Sequence, residues 1–204
     1  MRIHLPEGIG MRRALFGLTG LLVAAAAEAQ PDFRLDTRPE ALVAEYREVI
    51  GGIASEDPGP RVSLFGGGRV EVHVPAYLKG AGDFELELGP AALRAFVADL
   101  IDLGLVDFDP AAARAAIRAR ETGAAELFES SDPSTSEFRL ELESFSAPGR
   151  APGTVRKQIR WVGLSEAAER HPEAPGLRRL ELARQRFEAF RTHPDLRAVE
   201  PEEE

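Results

Sequence analysis

The chain has 204 residues, 25 Lys and Arg against 34 Asp and Glu, a net charge of −9 and 44% hydrophobic residues, the make-up of an ordinary folded domain. The acidic balance argues against a nucleic-acid partner, which clustered basic side chains would have to hold. The absence of cysteine excludes disulfides, thiolate metal sites and cysteine nucleophiles.

Residues 11–29 carry the three parts of an export signal: basic Met11-Arg12-Arg13, an apolar run from Ala14 to Ala26, and Ala27-Glu28-Ala29 as a small-x-small cleavage site before Gln30. The run is shorter than the roughly 20 residues that span a bilayer, so the sequence predicts cleavage and no stable membrane anchor. Met11 is an alternative start, because Met1 to Gly10 adds nothing an export signal needs. Phe16 sits one place late for a twin-arginine signal, which favours the general secretory route to the periplasm or the medium. The expected organisation is a signal over 1–29, an extension over 30–40, one domain over 41–192 and a frayed acidic tail over 193–204.

Within the domain, Ala41 to Ile50 reads both ways, and periodicity alone slightly favours the helix: Leu42, Val43, Tyr46, Val49 and Ile50 fit a helix face, while Leu42, Ala44 and Tyr46 alternate as in a strand. Arg61 to Phe65 and Arg69 to Val74 flank Gly66-Gly67-Gly68, which predicts a hairpin. Phe84, Leu86 and Leu88 alternate with Glu85 and Glu87, giving another strand with one wet face. Pro90 opens a helix whose apolar face is Leu93, Phe96, Val97, Leu100 and Ile101, ended by Gly104. Asp109-Pro110 caps a short Ala-rich helix to about Arg120, and Glu121 to Glu137 reads as a loop. Leu140 and Leu142 mark a strand with acidic outer residues, and Val155 to Val162 one with Arg156, Gln158 and Arg160 outward and Ile159 and Trp161 inward. Opposite charges favour placing these strands side by side. A last helix runs from Leu177 to about Arg191.

This order of elements, with Gly51-Gly52-Ile53-Ala54, the Gly66-Gly67-Gly68 hairpin, Leu105-Val106-Asp107-Phe108, Asp132-Pro133, Ile159-Arg160-Trp161 and Pro175-Gly176, resembles small secreted bacterial domains of unknown function. More remotely it is similar to emfourins, protein inhibitors of thermolysin-like metalloproteases. The resemblance covers about residues 42–190 and implies that 41–50 is a strand. It also makes the loop Gly51, Gly52, Ile53 and Ala54 the candidate partner contact and an extracellular or periplasmic protease a candidate partner. No inhibitory residue maps onto this chain.

Catalytic signals are weak by comparison. His4, His73, His171 and His193 stand alone in sequence, without metal-ligand spacing. Gly163-Leu164-Ser165-Glu166-Ala167 lacks the second glycine of a nucleophile elbow, and Ser165 reads as a helix cap. Glu85 with Glu87 and Glu141 with Glu143 alternate on outward faces, as solvated sheet residues do. Gly66-Gly67-Gly68 lacks the following helix and lysine of a phosphate loop, and Trp161 reads as core.

The expected fold is α+β, a largely antiparallel sheet of about five to six strands with two main helices on one face. The expected function is an exported, non-catalytic protein-binding module without a cofactor, protease inhibition being its sharpest form. The alternative is an exported hydrolase using loop carboxylates such as Glu129 and Asp132.

Overall fold

The computed structural model describes residues 32–51, 57, 59–120 and 134–200. Strands that alternate apolar and charged side chains have one dry face, and pairing them edge to edge builds a sheet with a single face to bury. The described strands form one antiparallel, eight-stranded sheet: β1 (Asp32–Arg34), β2 (Leu42–Val49), β3 (Arg61–Phe65), β4 (Arg69–Val74), β5 (Gly82–Glu87), β6 (Thr135–Ala147), β7 (Arg150–Val162) and β8 (Arg197–Ala198). β6 pairs along one edge with β2 and then β1, and along the other with β7. From β2 the sheet continues through β3, β4 and β5 to β8.

Four helices among the described residues complete the α+β fold: α1 (Pro90–Asp102), α2 (Pro110–Arg120), α3 (Leu164–Arg170) and α4 (Leu177–Glu188), the last running into a 3-10 turn over Ala189–Thr192. α1 buries Leu93, Val97, Leu100 and Ile101, and α4 buries Leu177, Leu180, Ala183 and Phe187. The Phe187 ring joins the layers, lying 5.9 Å from Tyr46 of β2, 6.3 Å from Phe138 of β6 and 5.2 Å from Phe96 of α1. Each such large side chain withdrawn from water contributes about 1.5–3 kcal/mol. α2 follows Phe108, whose ring meets Trp161 of β7 edge-on at 6.0 Å, so Trp161 is core as expected.

Residues 41–50 are settled as strand. The helix-like pattern has a local cause: the β2–β3 register shifts between Leu42 and Ala44, and consecutive Val43 and Ala44 are both buried. The hairpin over Gly66-Gly67-Gly68 forms as expected, its glycines required by close contact and, at Gly68, by dihedral angle too. A Cβ on Gly66 would lie 1.9 Å from the Asp36 carbonyl oxygen, and Gly68 has φ +105°.

Several boundaries differ from the expectation. The sheet exceeds five to six strands because Asp32–Arg34 and Arg197–Ala198, in the stretches expected to be extension and frayed tail, pair with β6 and β5. Thr135 to Glu137, expected in a loop, belong to β6 and are paired on both sides. Residues 121–133 of that loop, with Glu129 and Asp132, lie outside the described residues, as do the signal over 1–29 and residues 201–204. Ser165 does not cap α3: Gly163 holds the N-cap position, and the Ser165 hydroxyl donates to Glu181 of α4 at 3.1 Å. No helix among the described residues is long and apolar enough to cross a membrane.

Candidate functional site

With the helices on the apolar face, the other face of the sheet presents charge. The registers align its side chains in cross-strand rows. One row runs Arg160, Glu137, Arg47, Arg61, His73 and Asp83 from β7 to β5. The next runs Gln158, Arg139, Glu45, Ser63, Glu71, Glu85 and Arg197. Glu137 receives Arg47 and also lies 3.4 Å from Arg160. Arg139 reaches Glu141 at 2.6 Å, and the Ser63 hydroxyl donates to Glu45 at 3.2 Å. Basic β7 does lie beside acidic β6, as the charge pattern suggested, and Glu85, Glu87 and Glu141 are part of this outer face.

Two open depressions mark the β7 side of the face. One, of about 330 Å³, is lined by Arg47, Glu137, Arg139, Gln158 and Arg160 among others. Its neighbour, of about 350 Å³, includes Arg38, Glu141, Glu143 and Arg156. Both mix acids with guanidinium groups, which suits polar and charged ligands. Arg160 is well exposed, with 70% of its side-chain surface open, and can exchange its long contact to Glu137 for an incoming carboxylate.

Among the described residues the β7 edge itself is open along part of its length. Lys157 Nζ donates to the Phe108 carbonyl at 2.7 Å, tying the strand to the loop before α2. Arg114 of α2 stacks over Trp161 at 5.0 Å and donates to the Arg160 carbonyl at 3.1 Å. That carbonyl therefore points away from β6. Antiparallel periodicity turns the peptide groups of Gln158 and Arg156 outward in the same way.

A second cluster lies at the opposite side of the face. His73 Nδ1 is 2.7 Å from Asp83 Oδ1, and Nε2 is 2.8 Å from Asp57 Oδ1. A carboxylate only accepts, so the two contacts are both satisfied when the ring is protonated and donates from each nitrogen, an arrangement that favours the imidazolium. Burial opposes that charge, but the hydrogen bonds to Asp83 and Asp57 outweigh it and hold the His73 pKa above its ordinary value. Asp57 is pulled below the usual carboxylate range, first by the backbone N–H of Ala76 and then by His73. His73 thus does not stand alone as its sequence context suggested. The Asp83 partner follows from the β4–β5 register, whereas Asp57 is brought in by tertiary folding.

The other candidates disperse. His171 closes α3, and His193 Nδ1 accepts the backbone N–H of Asp195 at 3.3 Å. His4 lies outside the described residues, and so do Gly52, Ile53 and Ala54 of the expected contact loop; Gly51 alone is described, directly after Ile50 at the end of β2. Among the described residues no group of three or more His, Asp or Glu side chains could hold a metal ion.

Beneath the face, Tyr46 is fully buried, and burial pushes its phenol well above the ordinary value. Ser136 lies beside it, yet the hydroxyl has no well-aligned hydrogen-bond partner among the described residues.

No protein-family model matches the chain, and no curated protein or solved structure matches it.

Proposed function

We propose that the chain is an exported, non-catalytic protein-binding module that meets its partner on the charged face of the sheet, at the β7 side. The observation that supports this most is the asymmetry of the sheet. Its apolar face is occupied by α1 and α4, whereas the opposite face presents ordered rows of Arg and Glu around two open depressions. Such a surface provides orientation and electrostatic selection, which polar protein interfaces use to steer and discriminate partners. The export half of the proposal rests on the signal over residues 11–29.

The test is affinity capture from the native envelope and medium, comparing the wild-type chain with an Arg47→Glu/Arg160→Glu variant. A companion retained stoichiometrically by the wild type and lost by the variant supports the proposal. A companion held equally by both contradicts the placement, and a chain isolated with its first 29 residues intact contradicts export. A thermolysin-like protease is the partner class suggested by the emfourin resemblance. Full protease activity at large molar excess of the chain removes that class.

A further inference from the structure

We infer that the β7 edge takes up an acidic, extended segment of another protein as an added antiparallel strand, an inference that rests on the protein-binding reading and names the partner's chemistry. Three observations converge on it.

The first is the backbone. Among the described residues β7 pairs with β6 alone, and the peptide groups of Arg156 and Gln158 point away from β6, as the Arg160 carbonyl does. The usable stretch is bounded. Pro152 lacks an N–H below it, and Arg114 occupies the Arg160 carbonyl above it. Between them lies a short edge of the kind that extended peptides join by main-chain hydrogen bonds.

The second is charge. Arg156 and Arg160 lie on the same face four residues apart, about 13 Å along a strand. Among the described residues Arg156 has no ion-pair partner, and Arg160 has only the 3.4 Å contact to Glu137. An added strand with Asp or Glu at matching alternate positions would face both guanidinium groups across a strand spacing, the arrangement that favours opposite charges. Gln158 between them accepts a polar or charged neighbour.

The third observation disfavours a second copy paired through β7 about Gln158. Antiparallel pairing of two β7 strands about Gln158 would set Arg156 against Arg160, like against like, which is destabilising. The acidic strand of this chain, β5 with Asp83, Glu85 and Glu87, has its own outer edge occupied by β8 through Phe84–Ala198, Glu85–Arg197 and the Val199 N–H bond to the Asp83 carbonyl. Among the described residues no acidic strand of this chain is therefore free to fill the edge, and its charge calls for an acidic strand from another protein.

The probe is a fluorescein-labelled peptide alternating Glu with Val, followed by anisotropy at low salt. Two control peptides carry Lys in place of Glu, or N-methyl groups on alternate residues of the Glu/Val sequence. The Glu/Val peptide should bind and the controls should not. Arg156→Glu/Arg160→Glu should weaken binding about tenfold or more. Gln158→Pro should abolish it while leaving the thermal unfolding of the protein unchanged, because the N–H it removes points outward. Equal binding of the Lys peptide, undiminished binding of the N-methylated one, or no binding of any of the three overturns the assignment. None of these results touches partner capture, which reads the broader proposal separately.

Discussion

His73 and Asp83 face each other across β4 and β5 with Nδ1 and Oδ1 2.7 Å apart, and this contact sets the pH dependence of one side of the sheet. Asp57 holds the other ring nitrogen, while Arg61 stands opposite His73 on β3. The pKa of His73 is raised above its ordinary 6.5, so its contribution to stability is fully present below that value and is lost as pH rises through the folded-state pKa. Asp57 is lowered from 3.8, so its contribution is present above that value and is lost as pH falls below it. Thermal unfolding of the wild type and His73→Asn across pH should differ most between these two values and converge on the alkaline side. A difference that grows with rising pH would contradict the imidazolium.

Tyr46 offers a second test, because its ring and its hydroxyl act in opposite directions. The ring packs 5.1 Å from Phe138, whereas the hydroxyl is buried without a well-aligned partner among the described residues. Tyr46→Ala should cost about 3–5 kcal/mol in chemical denaturation, as loss of a buried aromatic does. Tyr46→Phe should be neutral or stabilising by about 1 kcal/mol, the scale of an unmet desolvation penalty. A large loss in Tyr46→Phe would show that the hydroxyl is satisfied in solution.

Local chemistry at two turns supplies a third comparison. Asp109 accepts the backbone N–H groups of Ala111 at 2.8 Å and Ala112 at 3.1 Å, capping α2. Asp109→Ala should cost about 1 kcal/mol. Gly66→Ala must displace the Asp36 carbonyl, 1.9 Å from the added carbon, and should cost about 1–3 kcal/mol, the range for overpacking. Urea denaturation of both variants reads the order directly, and a milder effect at Gly66 than at Asp109 would contradict the close approach.

The sequence was legible where one rule governed a segment. Alternation marked β4, β5 and β7 because each has one dry and one charged face, and the Asp109 cap and the Pro90 start followed from orphan N–H groups at helix ends. Legibility failed where the pattern was broken or too short. The irregularity at Val43 and Ala44 disguised β2 as a helix, and the resemblance rather than the periodicity resolved it. β1 and β8 are held by backbone pairing with few apolar residues, Phe33 being the buried side chain of β1, so no pattern announces them. At the charged face, the outward residues could be read one strand at a time, but their cross-strand rows depend on register. The Asp57 contact to His73 and the Arg114 contact to the β7 edge depend on tertiary approach and leave no mark in local sequence.

The most direct test of the account is amide hydrogen exchange on β7, in the free protein and with the Glu/Val peptide bound. The amides of Arg156 and Gln158 should exchange quickly when free and become protected on binding, while Lys157, turned toward β6, should be slow in both states. Unchanged exchange at Arg156 and Gln158 in a saturated complex, or protection confined to the helices, would contradict docking at this edge.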